Sequence, residues 1–491
     1  MEATGRPHRG QRRPWAEFNP ELYEYHEALM RYLVGRSLSG LGRIPEAIAA
    51  LEKARQVGKA DYEPELYIDL LKTLSKLHFR EGDYRRAYEL KQDYRSTEAE
   101  YGFRPFTGAR SLRPIRRAAN PAWNHSDITV VEQGMRRNLA AGREQDVTAL
   151  VARISLPQYR LIVVHGESGV GKSSLMRAGL VPRLRSSSMD AKTFVPVLLR
   201  RYGNWARDLG VQLCRELERV DPVETVPTTA ADILRLLRKN GDRSTVTVLI
   251  FDQFEEFFFN NVVVNNAVTA EGTGVREKSF QENRKYLYDF IAKCLELIDV
   301  KVVLSLREDY LHYLLELDRV SPLSAIDRDI LRRDIRYPLE DFSPDRAKQV
   351  IRNLTRRSQF NLSSELIDRL VKDLATDFGE VRPIELQVVG AQLQTDNITE
   401  LEFYQELGPD PKKMLMSQSL EEVIADCGPK QTKLAWLVLG LLTGENSIRP
   451  LKTRIELEQD LVQLGYFSED DLEKERCESY ETLSFVFDIL V

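Results

Sequence analysis

Gly166-Glu167-Ser168-Gly169-Val170-Gly171-Lys172-Ser173 is the stretch that decides the fold of this 491-residue chain. An apolar run at 161–165 precedes it and predicts a buried strand, and an amphipathic pattern at 173–184 predicts a helix after it. Three glycines let the backbone turn tightly, so that several N–H groups can point at one anion. The positive end of the following helix strengthens this effect. The stretch therefore predicts a phosphate-binding loop between a strand and a helix.

The last residues of this loop carry the chemistry that binds a nucleoside triphosphate. The Lys172 ammonium can reach the β- and γ-phosphates, and the Ser173 hydroxyl can ligate Mg²⁺, so ATP with Mg²⁺ is the expected ligand. The alternative, a glycine turn without a ligand, is disfavoured because both flanking elements are predicted. The candidate nucleotide-binding residues of the loop are Gly166, Glu167, Ser168, Gly169, Val170, Gly171, Lys172, Ser173 and Ser174.

Acidic residues follow the strongly apolar run 246–251. Asp252 comes directly after this run, where a carboxylate at the end of a buried parallel strand can hold Mg²⁺ through water. Hydrolysis also needs a group that orients and deprotonates the attacking water. Glu256 is the first choice for this catalytic role, and Glu255 is the second. The alternative is an acidic helix start that solvent surrounds.

An arginine ends the apolar run 302–306. Arg307, at a strand end beside the phosphates, can sense or stabilise the charge of the γ-phosphate, which makes it a third catalytic candidate. It can instead form an ion pair with Glu308 or Asp309, which follow it directly. The residues alone leave both interpretations open.

Strand and helix patterns alternate from residue 160 onward, and this alternation predicts a parallel sheet with covering helices. The strand candidates are apolar runs of the kind that is buried on both faces of a sheet. A flexible insertion is expected at 260–274, where Asn, Gly and Thr interrupt the alternation. The expected strands are 161–165, 194–199, 246–251, 302–306 and 335–339, and the expected helices between them include 173–184, 205–218 and 280–297.

Helical patterns dominate after residue 342. Ser343 can cap the first of these helices, and Pro344 suits its first turn, where the missing N–H costs nothing. The apolar segment 483–491 ends without a polar tail, so we expect the sequence to be a fragment of a longer protein. The expected helices are 345–356, 364–374, 384–394 and 431–442.

The N-terminal part repeats a short pattern. The stretches 42–48 and 82–88 each place an aliphatic or aromatic residue two positions, and an alanine five positions, after a glycine. This pattern resembles the second helix of tetratricopeptide (TPR) repeats, although the spacing of 40 residues exceeds the usual one. The alternative is a generic pair of helical hairpins.

These patterns give a domain organisation for the whole chain. The expected segments are a disordered basic tail at 1–20, a TPR-like region at 21–102, a linker at 103–124, a P-loop NTPase domain of α/β type at 125–341, a helical lid at 342–430 and a truncated winged-helix-like region at 431–491.

Composition narrows the class of protein further. A net charge of −5 gives no global reason to bind nucleic acid, so a nucleic-acid partner is not expected. The four cysteines are far apart and form no Cys-x-x-Cys pair, which favours free thiols in a reducing cytoplasm over a zinc or disulfide framework. No apolar run is long enough to cross a membrane.

Several of these motifs together resemble the novel STAND NTPases of type 1, which are signal-transducing ATPases related to the NACHT and NB-ARC switches. The resemblance rests on the phosphate loop, on its continuation Ser174-Leu175-Met176-Arg177-Ala178-Gly179-Leu180 and on Asp252-Gln253-Phe254-Glu255-Glu256. It implies that the last acid of this motif is catalytic and that Arg307 is a sensor of the nucleotide.

Two weaker motifs extend the resemblance to both sides of the core. Gly142-Arg143-Glu144 is similar to the motif that precedes the nucleotide domain, which implies that Arg143 lies near the adenine. Gly379-Glu380-Val381-Arg382-Pro383 looks like the proline motif of the lid, which implies that Pro383 contacts the nucleotide. No histidine after His312 matches the residue that holds the inactive ADP state in this family.

The leading functional hypothesis is a slow ATPase switch that opens and associates with copies of itself when it binds ATP, and that engages a protein partner through the TPR-like region. One alternative is an AAA+-type motor that acts on DNA or protein. Another is a helical scaffold that binds nucleotide without hydrolysing it.

Overall fold

The computed structural model describes residues 20–60, 63–101, 103–106, 142–189, 192–218, 226–241, 245–259, 273–320, 329–356, 358, 360–443, 452, 454–467 and 478–490. These residues form two compact units, each with its own hydrophobic core. The predicted basic tail up to residue 19, residues 107–124 of the predicted linker and residues 260–272 of the predicted insertion lie outside the described residues.

One unit, formed by residues of 129–357 and 362–386, contains the α/β sheet. The strand order is β2-β3-β4-β5-β1-β6, with β2 antiparallel to β3 and all other neighbours parallel. The strands are β1 Leu161–Gly166, β2 Ser188–Met189, β3 Lys192–Leu199, β4 Thr245–Phe251, β5 Val300–Arg307 and β6 Arg336–Pro338.

Helices cover both faces of this sheet. Successive strand residues point to opposite faces, so an apolar run without alternation fits a strand buried on both sides. Val163 and Leu249 join one apolar cluster, whereas Val164 and Val248 join the other. The α-helices of this unit are Glu144–Ser155, Lys172–Ser174, Val181–Arg185, Trp205–Leu217, Ala230–Gly241, Glu255–Phe259, Thr273–Glu296, Leu314–Val320, Pro344–Thr355 and Ser364–Leu374, with a π-helix at Leu175–Leu180 and a 3₁₀-helix at Glu308–Tyr313.

The predicted α/β fold class is confirmed, and the five expected strands are all present. The last expected strand is shorter than predicted, since β6 spans only Arg336–Pro338, although Ile335 and Leu339 on either side still form backbone hydrogen bonds with β1. The helix expected at 280–297 begins earlier, at Thr273, inside the stretch predicted as an insertion. The Ser343 cap is confirmed, since its hydroxyl accepts a hydrogen bond from the Arg346 N–H.

The second unit, formed by the described residues of 1–128, 358–361 and 387–491, is helical. Its N-terminal part contains two helical hairpins. Gly42 and Gly82 adopt positive φ between the two helices of each hairpin, and Ala47 and Ala87 are buried one turn into the second helix. Small buried residues at these positions explain why the repeated pattern keeps alanine. The hairpin helices are Pro20–Gly40, Ile44–Val57, Pro64–Glu81 and Tyr84–Glu100.

Helices from the end of the chain pack against the last hairpin helix within this unit. Lys91 forms ion pairs with Glu422 at 2.6 Å and with Asp426 at 2.7 Å. Tyr88 and Phe485 meet edge to face, with ring centroids 6.3 Å apart. The other helices that contribute to this unit are Pro383–Thr395, Leu401–Gln405, Pro411–Asp426, Thr432–Leu441, Arg454–Gln463 and Glu478–Leu490.

The largely buried Lys91 generates a prediction about the stability of this packing. Lys91→Met removes the cation that Glu422 and Asp426 share, whereas the ion pair of Glu422 with Arg95 remains. We expect this loss to cost about 1–3 kcal/mol, because these side chains are mostly shielded from water. We expect hydrogen exchange in helices Tyr84–Glu100 and Pro411–Asp426 to become about tenfold faster. Lys76→Met is the matched control, because Lys76 is exposed on the preceding helix. Equal exchange in the two variants would contradict the assigned role of Lys91.

Candidate nucleotide-binding site

The phosphate loop leaves β1 at Gly166 in a conformation that requires glycine. Gly169 and Gly171 have φ of 86° and 96°, values that side chains with a Cβ rarely adopt. A Cβ on Gly166 would lie 2.4 Å from the carbonyl oxygen of Leu339, and one on Gly169 would lie 2.6 Å from Cγ2 of Ile384. Close packing therefore favours glycine at 166 and 169, and the positive φ favours it at 169 and 171. Within the loop, Glu167 and Ser168 are exposed, whereas Val170 is buried.

Lys172 opens the helix that follows the loop, and its ammonium turns back over the loop. The Nζ atom donates hydrogen bonds to the carbonyls of Gly166 at 2.8 Å and Glu167 at 2.7 Å. Burial lowers the pKa of Lys172, and the charge of Glu255 opposes this effect. The cation is thus held at the loop by backbone oxygens, in the position where phosphate oxygens could also reach it.

A buried carboxylate faces the hydroxyl next to this lysine. Asp252 has no solvent exposure, and its Oδ1 accepts hydrogen bonds from Ser173 at 3.0 Å and from Ser305 at 3.3 Å. Burial raises the pKa of Asp252, since a charged carboxylate loses its hydration there. The buried Oδ2 has no hydrogen-bond partner among the described residues. A hydroxyl and a carboxylate with an unsatisfied oxygen are donors that suit Mg²⁺, which takes few protein ligands and completes its shell with water and phosphate.

The two glutamates after Asp252 lie at the start of a short helix. Glu255 accepts a hydrogen bond from the backbone N–H of Arg307 at 3.3 Å, which ties it to the end of β5. Glu256 is half-buried and makes no such bond to β5. Burial raises the pKa of Glu256 to about 7, with Arg200 opposing the shift and Glu255 adding to it. A carboxylate with a pKa near neutrality suits a general base.

Arg307 stands one strand away from Asp252, at the end of β5. Its guanidinium pairs with Asp309 and lies 5.3 Å from the centre of the Tyr310 ring. The ion pair that the sequence left open is therefore present. The buried Nε of Arg307 has no hydrogen-bond partner among the described residues.

Arg143 links the loop to the segment that follows β6. Its Nη2 donates to the carbonyls of Val170 at 2.7 Å and Glu340 at 2.8 Å, and the guanidinium stacks 4.5 Å from the centre of the Phe342 ring. Burial lowers the pKa of Arg143. These contacts make Arg143 a support for the loop, in addition to the predicted place near the adenine.

Pro383 begins a helix next to the loop. The neighbouring Ile384 is the side chain that excludes a Cβ from Gly169. The preceding residues form isolated bridges in which Val381 pairs with Phe342 and Ala375. The predicted proline motif is therefore close to the phosphate loop in this unit.

The site also contains three residues that the sequence analysis did not select. Arg200 directly follows β3, and its Nε lies 3.4 Å from Oδ2 of Asp252 without forming a hydrogen bond, while its Nη2 donates to Gln253 at 2.9 Å. Tyr202 donates its hydroxyl proton to the Asp252 carbonyl at 2.8 Å, and Ser305 bonds the carboxylate. Arg200 could have been found, because it ends a strand as Asp252 and Arg307 do.

The glycine contacts generate a prediction. Gly166→Ala places a methyl group against a backbone oxygen that cannot rotate away, which costs about 1–3 kcal/mol and displaces the loop. We expect weaker nucleotide binding and a lower melting temperature. Gly203→Ala is the control, because a Cβ there meets nothing within 4 Å. If both variants behaved like the original protein, the close approach at Gly166 would be wrong.

A known protein family matches most of this chain. The family model described as Novel STAND NTPase 1 matches residues 135–475. No curated protein matches the chain. Among solved structures, the Aeropyrum pernix ORC1 protein in complex with DNA is 13% identical, with 70% of this chain and 82% of that chain covered and a TM-score of 0.39. Cdc6p from Pyrobaculum aerophilum is 14% identical, with 71% and 93% covered and a TM-score of 0.33. Since the family model spans well over half of the residues, this chain belongs to the novel STAND NTPase 1 family.

Proposed function

We propose that the protein is an ATP-hydrolysing switch whose conformation depends on the bound nucleotide. The observation that carries this proposal is the meeting of Lys172, Ser173 and the fully buried Asp252 at one edge of the sheet. No helix among the described residues is long and apolar enough to cross a membrane. Within the same residues, no group of three or more acidic, histidine or cysteine side chains is arranged to hold a metal ion.

The loop from Gly166 to Ser174 binds the phosphates of ATP through its backbone amides and the Lys172 ammonium. Ser173 and Asp252 hold Mg²⁺, which neutralises phosphate charge when it is bound. The backbone contacts of Arg143 keep the loop in shape. As the family resemblance implies, Arg143 lies near the adenine and Pro383 contacts the nucleotide.

Glu256 acts as the general base in this proposal. It takes a proton from water, the water oxygen attacks the γ-phosphorus, and the bond from phosphorus to the β–γ bridging oxygen breaks to release ADP. Arg307 stabilises the charge on the transferred phosphoryl group. Glu255 is the second candidate for the base, although its bond to the Arg307 N–H supports a positioning role.

Hydrolysis resets the switch. The γ-phosphate is the only group that distinguishes ATP from ADP, so its contacts must supply the free energy that shifts the conformation. In the proposed ATP form the protein associates with copies of itself. A protein partner binds the TPR-like hairpins, on faces other than the one that already packs against Pro411–Asp426.

Glu256→Gln tests the chemical step. We expect ATP binding to persist and hydrolysis to fall by about 10²–10⁴-fold, because the amide cannot accept the proton. In the original protein, the rate of hydrolysis should fall as the pH drops through about 7. The pKa of Glu256 lies near this value, so the carboxylate becomes protonated below it and can no longer act as a base. Single-turnover hydrolysis of radiolabelled ATP measures both effects.

Glu255→Gln is the matched control for that experiment. It removes the neighbouring charge and should reduce hydrolysis less than Glu256→Gln does. A larger loss in Glu255→Gln would transfer the role of base to Glu255. Undetectable hydrolysis in the original protein, with ATP bound, would favour the non-enzymatic scaffold.

The switch itself is tested by measuring the mass of the protein in solution with Mg²⁺ and ATP, with ADP or without nucleotide. We expect a larger assembly only with ATP, and Lys172→Ala should remain in its starting state because it loses the phosphate contact. The same mass in all three conditions would rule out ATP-dependent association. Sustained hydrolysis that DNA accelerates would favour the AAA+-type motor.

A further inference from the structure

The segment that precedes Pro383 lies directly beside the phosphate loop. Phe342 and Val381 exchange two backbone hydrogen bonds of 3.0 and 2.8 Å, which fixes the segment. Ile384 fills the space against Gly169. Arg382, between these two anchors, therefore has its backbone fixed while its side chain extends toward the loop.

The Arg382 guanidinium faces three carboxylates. Its Nη2 lies 3.3 Å from Glu167 within hydrogen-bond geometry, and the guanidinium also lies 3.9 Å from Asp341 and 3.7 Å from Glu385. Glu167 belongs to the phosphate loop, and its backbone carbonyl accepts a hydrogen bond from Lys172 at 2.7 Å. One residue of the loop thus binds both the phosphate-binding lysine and the arginine of the adjacent segment.

This ion pair is weak enough to be exchanged. The Arg382 side chain is 45% exposed and that of Glu167 is 57% exposed, and exposed pairs contribute about 0–1 kcal/mol. A phosphate group carries more charge than a carboxylate and matches the planar guanidinium with two parallel hydrogen bonds. A terminal phosphate at the loop would therefore compete successfully with Glu167 for Arg382.

The carboxylates around Arg382 make the competition between Glu167 and the ligand for this arginine depend on how many phosphates the nucleotide carries. Burial raises the pKa of Asp341, the charge of Glu167 adds to this shift, and Arg382 opposes it. An anionic ligand that enters beside these carboxylates is repelled unless Arg382 turns toward it. ATP presents a third phosphate that ADP lacks, so the gain from Arg382 is larger for ATP.

We propose that Arg382 determines nucleotide specificity by exchanging Glu167 for the terminal phosphate of ATP. The inference rests on the proposed binding of ATP by the phosphate loop. In the ADP or empty form Glu167 holds Arg382, and in the ATP form the phosphate holds it. Since Arg382 directly precedes the helix Pro383–Thr395, the exchange transmits the presence of the third phosphate to that helix.

Calorimetric titration of the full chain with Mg·ATP and with Mg·ADP tests this exchange. Arg382→Gln should weaken ATP binding by about tenfold and change ADP binding by less than about twofold. Arg382→Lys should retain more ATP affinity than Arg382→Gln does, because lysine keeps the positive charge. The recovery should be partial, because an ammonium group cannot form the two parallel hydrogen bonds of a guanidinium. Glu167→Gln should strengthen ATP binding by about threefold, since it removes the competing carboxylate.

Arg369→Gln is the matched control, because Arg369 is similarly exposed and pairs with Asp373 on the helix Ser364–Leu374. It should leave both affinities unchanged. Equal losses for ATP and ADP in Arg382→Gln, or no loss for either, would overturn the proposal while leaving ATP binding by the loop intact. If the original protein bound neither nucleotide, and Lys172→Ala changed nothing, the underlying function would fail as well.

Discussion

The buried charge of Asp252 is the constraint on which the site depends. A carboxylate without contact to water is unstable unless neighbouring groups or a cation compensate it. Ser173 and Ser305 donate to one oxygen, and Arg200 approaches the other at 3.4 Å. Each of these groups comes from a different part of the chain, so the position of the carboxylate requires the phosphate loop and two neighbouring strands to be in place. The remaining need for positive charge is what makes the site suited to a divalent cation.

Parallel strands explain why these groups meet. The carboxyl ends of β1, β5 and β4 are adjacent, and the strand ends carry Gly166, Arg307 and Asp252. β3 adds Arg200 on the outer side of β4. One edge of the sheet therefore brings together an anion-binding loop, a buried acid and two arginines that are far apart in the sequence. The same edge also holds Glu256, whose raised pKa follows from the limited access of water.

The sequence was sufficient where local patterns carry the signal. Strands buried on both faces are continuous apolar runs, so their positions were predicted to within about two residues, and the glycine spacing identified the loop. β2 was missed because a strand of two residues has no recognisable sequence pattern. The π-helix at Leu175–Leu180 was missed because it differs from the predicted α-helix only in its backbone hydrogen bonds, which the side-chain pattern does not reveal. Arg200 and the pair of Arg382 with Glu167 depend on which strands and segments become neighbours across long separations in sequence. The roles of Glu256, Arg307, Arg143 and Pro383 toward the nucleotide stay predictions.

The dependence of ATP affinity on Mg²⁺ tests the central claim most directly. In the original protein, ATP should bind at least about tenfold more tightly with Mg²⁺ than with a chelator, because Ser173 and Asp252 share the cation with the phosphates. Asp252→Asn keeps the size of the side chain and removes its charge, so most of this difference should disappear. Equal ATP affinity with and without Mg²⁺ in the original protein would contradict the assignment of Asp252, and no binding in either condition would contradict the site as a whole.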